Sequence, residues 1–260
     1  EDLTLNPNQE YLVVENVLIE ENVKLTILPG TQLNFSPGKS LKVLGSIDAR
    51  GNPDSLIKIY SEIGISGEIR LDGNSDTSFI QYIKFNNIGE IKFYYSQSGP
   101  VIFTDNIISR DSYGQFFFTQ FYNFGLLSRN NFINNSGNSA YVRLDEQQYF
   151  DDNLWMNNGF GYPGSGLYLK VSDHTSFSGN SFINNYNYSL NVGSNPYYDI
   201  SNNYWGTNDS TEITVAIHDY FDNVNDGVAV FWPWLEQPSS LAHGHVWKVL
   251  INGIDPQDEE

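Results

Sequence analysis

Apolar and polar residues alternate in short runs along most of the chain, and the runs recur. EIRLD (68–72), EIKFY (90–94), QFFFT (115–119), YVRLD (141–145), YLKVS (168–172) and SLNVG (189–193) each put every second side chain on one face. Alternation of this kind predicts strands with one face in a core. The N-terminal part reads likewise. VKLTILPGTQLNF (23–35), SLKVLGSIDARG (40–51) and LIKIY (56–60) are short strands split by Pro-Gly, Gly-Lys and Gly-Asn turns. No helix-forming amphipathic stretch interrupts them, so no helix is expected.

A second motif runs in step with the first. FTDNII (103–108), LSRNNF (127–132), FDDNLW (150–155), FSGNSF (177–182) and ISNNYW (200–205) align on Asn106, Asn130, Asn153, Asn180 and Asn203. Two residues later stands a large apolar column of Ile108, Phe132, Trp155, Phe182 and Trp205. One rung earlier, IQYIKF (80–85) fits with Ile83 in the asparagine place and Phe85 in the apolar one. Further asparagine pairs follow three copies, at 134–135, 157–158 and 184–185. A period in the low twenties built from short strands is the sign of a solenoid whose coils stack on one another. Stacking brings equivalent residues to roughly 4.8 Å apart along the axis. The asparagines are then expected to ladder at a corner and to take the left-handed backbone of a tight bend.

These residues carry a resemblance. The chain resembles a right-handed parallel β-helix of the pectin-lyase-like type. It is similar in particular to secreted bacterial β-helix repeat proteins whose final coils carry an N-N-x-W-G-T segment, here Asn202, Asn203, Trp205, Gly206 and Thr207. The ending that follows in such proteins matches Ile213, Ile217, Asp219, Asp222 and Pro233–Trp234–Leu235. The resemblance covers residues 10 to about 238 and is specific for fold, not for chemistry. The expected fold is therefore all-β, a right-handed parallel β-helix over 1–238 with coils of about 22–27 residues. Residues 1–19 are expected to cap one end of it and 210–238 the other. Residues 239–260 resemble a linker or the first strand of a following immunoglobulin-like domain. Neighbouring domains of the same chain are thus expected partners.

Composition narrows the function. Across 260 residues the formal charge is −18, which disfavours nucleic-acid phosphates and anionic lipid as partners. No apolar run approaches a membrane span. The chain has no cysteine, which removes disulfides, thiol chemistry and zinc–thiolate sites. Its only methionine is Met156 and it begins at Glu1, so it reads as a piece of a longer protein. The resemblance to secreted bacterial β-helix proteins implies an extracellular or cell-surface location. No cofactor is expected. The nearest approach to one is Ca²⁺ at DNVNDG (222–227), where Val224 interrupts the ligand pattern and no glutamate closes the loop. A plain turn is the simpler reading. His243 and His245 lie in the linker without a third ligand nearby in sequence.

Candidate chemistry concentrates in the alternating runs. Their expected outward column is Arg70, Lys92, Phe117, Arg143, Lys170 and Asn191, flanked by Tyr94, Tyr141 and Tyr168. Cations beside flat aromatics suit an acidic polysaccharide, the cations for uronate carboxylates and the rings for sugar faces. Glu68, Asp72, Glu90, Asp145 and, near Lys170, Asp173 stand close by in sequence, so a neutralising lattice explains the same residues. The leading expectation is a non-catalytic structural or carbohydrate-binding module of a larger bacterial surface protein. The alternative is a polysaccharide lyase with Arg143 or Lys170 as base, or another carbohydrate-active enzyme. Asp105 and Asp152, two coils apart, would be a glycosidase pair. Arg129 between them makes an Asp–Arg–Asp ladder the simpler account.

Overall fold

The computed structural model describes residues 1–62, 66–72, 76–93, 99–109, 120–121, 125–135, 140–144, 148–159, 165–171, 176–193 and 197–239. The run 115–119 with Phe117, together with Tyr94, Asp145, His243, His245 and the rest of 240–260, lies outside them.

The chain is a right-handed parallel β-solenoid. Each coil gives one strand to each of three parallel sheets. Sheet A has eight strands, from Leu3–Leu5 to Ser176–Ser178. Sheet B has eight, from Glu10–Val13 to Ser181–Ile183. Sheet C has nine, from Val17–Ile19 to Ile217–His218. Residues 3–19, expected as a cap, supply the first strand of each sheet. The alternation in the sequence becomes an inside and an outside. Ile69, Leu71, Ile91, Phe93, Val142, Leu167 and Leu169 are buried, while the residues between them face out. The apolar column is continuous through Phe85, Ile108, Phe132, Trp155 and Phe182. Its rings stack, Phe132 on Trp155 at 3.8 Å and Phe182 on Trp205 at 4.7 Å.

The asparagine ladder stands at the corner between sheets A and B. Asn106, Asn130, Asn153, Asn180 and Asn203 are wholly buried. Each of the first four donates its side-chain amide to the next Oδ1 at 3.0 Å. Ile83 receives the top rung, its backbone N–H donating to Asn106 Oδ1 at 3.0 Å. A second ladder, Asn135–Asn158–Asn185, follows sheet B. The left-handed backbone does not fall on the ladder residues. It falls one position earlier, on Tyr82, Asp105, Arg129, Asp152, Gly179 and Asn202, and at the second corner on Asn134, Asn157 and Asn184. The preceding residue makes the bend, which leaves the ladder asparagine free to turn its amide inward.

One short helix, Ser210–Ala216, departs from the all-strand expectation. Asp209 caps it, accepting from the backbone N–H of Thr211 at 2.7 Å. Its single buried residue, Ile213, joins the core beside Ile217. Seven residues are too few to display a helical hydrophobic period, but Asp209 with Glu212 three positions on is a recognisable start signal. After the helix, Ile217–His218 pairs with the edge of sheet C, and Val228–Val230 pairs with Tyr197–Asp199. Ile213, Ile217, Ala229, Phe231 and Trp234 of segment 210–238 pack in or against the core at this end.

Candidate functional site

The outer face of sheet C carries the described residues of the expected column, in a different register from the one the repeats suggest. Cα pairing runs Lys42, Arg70, Lys92, Gln120, Tyr141, Tyr168, Asn191, His218. Arg143 pairs with Lys170 in a neighbouring column, two residues further along the strands. Arg70 and Lys92 thus continue into the two tyrosines rather than into Arg143 and Lys170. In the intervening coil the pairing strand is Gln120–Phe121, displaced from the expected 115–119. A slip of two residues keeps every side chain on the same face, so alternation alone does not reveal it.

The cations in the first half of the column are already partnered. Arg70 Nε lies 2.6 Å from Asp72 Oδ1, and Lys42 Nζ lies 3.1 Å from the other oxygen of the same carboxylate. Lys92 meets both Glu90 and Glu68, the latter at 3.5 Å. Three cations face three carboxylates, so this half is a neutral lattice.

The second half is aromatic and polar. The rings of Tyr141 and Tyr168 stack at 5.1 Å and 11°. Each therefore gives one face to the other, and the pair offers edges and hydroxyls outward rather than two open faces. Burial raises the Tyr168 hydroxyl's pKa above the usual phenol range, and Tyr141 and Asp226 add to the effect. The hydroxyl holds its proton at neutral pH and serves as a hydrogen-bonding group, not as a base. Lys170 is half-buried and makes no ion pair among the described residues. Only the backbone of Arg143 is described.

His218, not singled out in the sequence, ends the column. Its ring lies 4.8 Å from that of Tyr188, with Nε2 3.4 Å from Asp226 and Nδ1 3.8 Å from Asp222. The signal for it was the alignment of Ile217–His218 with Leu190–Asn191, obscured by the helix before it. The loop 222–227 is an internally bonded turn. Asp219 receives the N–H of Phe221 at 3.0 Å and that of Ala229 at 3.0 Å, while Asn223 Nδ2 donates to Asp226.

The Asp105–Asp152 pair is structural. Arg129 grips Asp105 through Nε at 2.9 Å and a terminal nitrogen at 2.6 Å. Asp105 raises the Arg129 pKa in turn, chiefly through these hydrogen bonds. Asp152 accepts from Ser239 Oγ at 3.0 Å.

The coil register and both corner ladders define a family of folds, and sequence comparison decides among them. A family model described as "Periplasmic copper-binding protein (NosD)" matches residues 12–222. The chain belongs to the NosD family. No curated protein and no solved structure matches it. NosD is a periplasmic family, and no helix among the described residues is long and apolar enough to cross a membrane.

The copper in the family's description can be tested against this NosD-family chain. Copper(I) favours thiolate and thioether ligands, and copper(II) favours imidazole. The sequence has no cysteine, one methionine and four histidines. Met156 is buried against Ile133 and Leu154. The two ring nitrogens of His218 point to different carboxylates. Among the described residues no group of three His, Cys, Asp or Glu is placed to hold a metal ion, copper or Ca²⁺. The described residues do not fit a copper centre.

Proposed function

We propose that this NosD-family chain is a non-catalytic β-helix module, working outside the cytoplasm or at the cell surface, that binds polysaccharide along the outer face of sheet C. The observation that carries the reading is the continuity of the paired-cation lattice with the stacked Tyr141–Tyr168 pair. This continuity gives a long, regular, hydrogen-bonding strip of the kind an extended polymer can lie along. Acidic polysaccharide remains the proposed partner, with Lys170 as the cation of this face that makes no ion pair among the described residues. Its carboxylates would meet Lys170 and its hydroxyls the tyrosine edges.

The lyase alternative has less support. A lyase base must give up its proton near neutral pH and converge with a cation on one carbon. Of the two bases the sequence offers, the Arg143 side chain lies outside the described residues, and Lys170 stands two residues out of step with the Tyr141–Tyr168 column, whose Tyr168 hydroxyl is held protonated. The cations that do lead into that column, Arg70 and Lys92, are tied to carboxylates. The test is retention of the full chain on immobilised polygalacturonate, with parallel assay of the polymer for unsaturated ends. The reading predicts retention, weakened about tenfold or more in Tyr141→Ala/Tyr168→Ala with Lys170→Gln, and no unsaturated product. Unsaturated ends would establish the lyase instead. Equal retention of the triple variant would remove the face from the account.

A further inference from the structure

Seven of the ten cationic side chains described in this acidic protein have a carboxylate partner. Lys24, Lys39, Lys42, Arg50, Arg70, Lys92 and Arg129 all make ion pairs. Among residues with described side chains, Lys58, Lys84 and Lys170 make none. Two of these three are immediate neighbours. Lys58 and Lys84 are Cα partners on adjacent strands of sheet B, so their backbones are roughly 4.8 Å apart and their ammonium groups share one patch of surface. Like charges directly opposite on adjacent strands are destabilising. In a chain with 31 acidic residues, a carboxylate above or below would have relieved the repulsion. Instead the column runs Gln32, Lys58, Lys84, Ile107.

The two lysines line a groove of about 360 Å³ together with Gln32, Tyr60, Glu62, Asn86 and Asn87. Its volume suits one or two sugar units. Its polar lining of amides and a phenol matches the donor and acceptor pattern of a sugar's hydroxyls. Tyr60 is fixed, since its hydroxyl donates to Glu10 Oε1 at 2.7 Å and that carboxylate also accepts from Asn34. Glu10 itself lies one rung beyond Gln32 in the lysines' column, with Gln32 between it and Lys58, and these two bonds hold its carboxylate on the Tyr60 hydroxyl and the Asn34 amide. Among the described residues that line the groove, two ammonium groups face one carboxylate, Glu62, which leaves a single positive charge on the lining. That balance fits a monoanion better than a dianionic phosphate in a protein of this net charge.

From this geometry we propose that the groove on the outer face of sheet B is a binding site for a carboxylate-bearing sugar. Its carboxylate sits between Lys58 and Lys84, and its hydroxyls lie against Tyr60, Gln32 and the Asn86–Asn87 amides. The site lies on a different sheet from the strip on sheet C and stands or falls separately from it.

The test is proton–nitrogen NMR of the full chain titrated with glucuronate, with glucose and inorganic phosphate as comparison probes. The expected result is a saturable shift for glucuronate at the Lys58 and Lys84 side chains and the backbone amides of Asn86 and Asn87. Glucose and phosphate should bind at least about tenfold more weakly. Lys58→Gln/Lys84→Gln, exposed positions whose replacement relieves repulsion, should keep the fold and raise the Kd for glucuronate about tenfold or more. Lys24→Gln, which removes an ion-paired lysine on sheet A, should leave that Kd unchanged. The proposal is overturned by the absence of a saturable shift, by phosphate or glucose binding as well as glucuronate, or by unaltered affinity in the double variant. Shifts confined to the Tyr141–Tyr168 region would equally overturn it, while leaving the sheet C strip standing.

Discussion

Asn130 donates its side-chain amide to Asn153 Oδ1 at 3.0 Å, 23 residues apart in sequence and one coil apart in space. The same oxygen also accepts the backbone N–H of Asn130 at 3.0 Å, and Asn153 in turn donates to the backbone carbonyl of Leu127. All of this is buried. Asn153→Ala therefore strands the buried backbone N–H of Asn130 and takes one donor from the Leu127 carbonyl, while the Asn130 side-chain amide keeps Phe103 O and Ser128 O. The expected loss is about 3 kcal/mol, seen as a lower urea midpoint with an unchanged slope.

Arg129 and Asp105 make the tightest pair at the same corner, and the Asp105 side chain is only 3% exposed. Arg129→Ala leaves a buried carboxylate without its cation, and a loss of about 3 kcal/mol is expected. Pairing it with Asp105→Asn should recover most of that loss. A double-mutant cycle in urea reads the coupling directly. Full additivity of the two single changes would contradict the pairing.

On sheet C, Lys92 stands between Glu68 and Glu90, which are themselves in register. Lys92→Met removes the cation between the two glutamates and leaves two facing carboxylates. Stability should fall by about 1 kcal/mol at low salt, and the deficit should shrink as salt is added. A deficit insensitive to salt would mean that packing, not charge, holds that part of the face.

The alkaline limb of stability should bear the mark of Tyr60. Burial, followed by its hydrogen bond to Glu10 and the charges of Glu10 and Glu62, pushes its pKa up to about 12 from 10.0. The folded chain then keeps a proton that the unfolded chain releases above pH 10. The contribution is complete below pH 10 and is lost as pH rises from 10 towards 12. Tyr60→Phe should flatten the fall of the urea midpoint over that window. Tyr168, shifted in the same direction, should leave part of the slope behind.

How much of this was legible in the sequence depended on what kind of signal each feature leaves. The asparagine column could be read because Asn106 to Asn203 recur beside a large apolar residue. The ladder places them one above another as expected. The position of the bend could not be read, because Tyr82, Asp105, Arg129, Asp152, Gly179 and Asn202 share a backbone conformation but no side-chain chemistry. The sheet C face was found, but its register was not. EIRLD and YVRLD look alike, yet Arg143 sits two residues beyond the Arg70 column, and a period of two is blind to that shift. The Lys58–Lys84 groove gave no sequence signal at all. It arises from two lysines 26 residues apart whose adjacency only the coil spacing creates.

The register of sheet C underlies both the lattice and the tyrosine strip, and the absence of cysteine allows a clean measurement of it. Paired cysteines introduced as Tyr141→Cys with Tyr168→Cys sit on facing Cα positions, within the roughly 4.4–6.8 Å that a disulfide spans. Tyr141→Cys with Lys170→Cys places the second cysteine two residues out of step, beyond that reach. Under mild oxidation, followed by mass spectrometry of the folded chain, the first pair should close and the second stay reduced. Closure of the second pair with failure of the first would mean that Arg70 and Lys92 do not lead into the tyrosines, and the proposed binding strip would not exist.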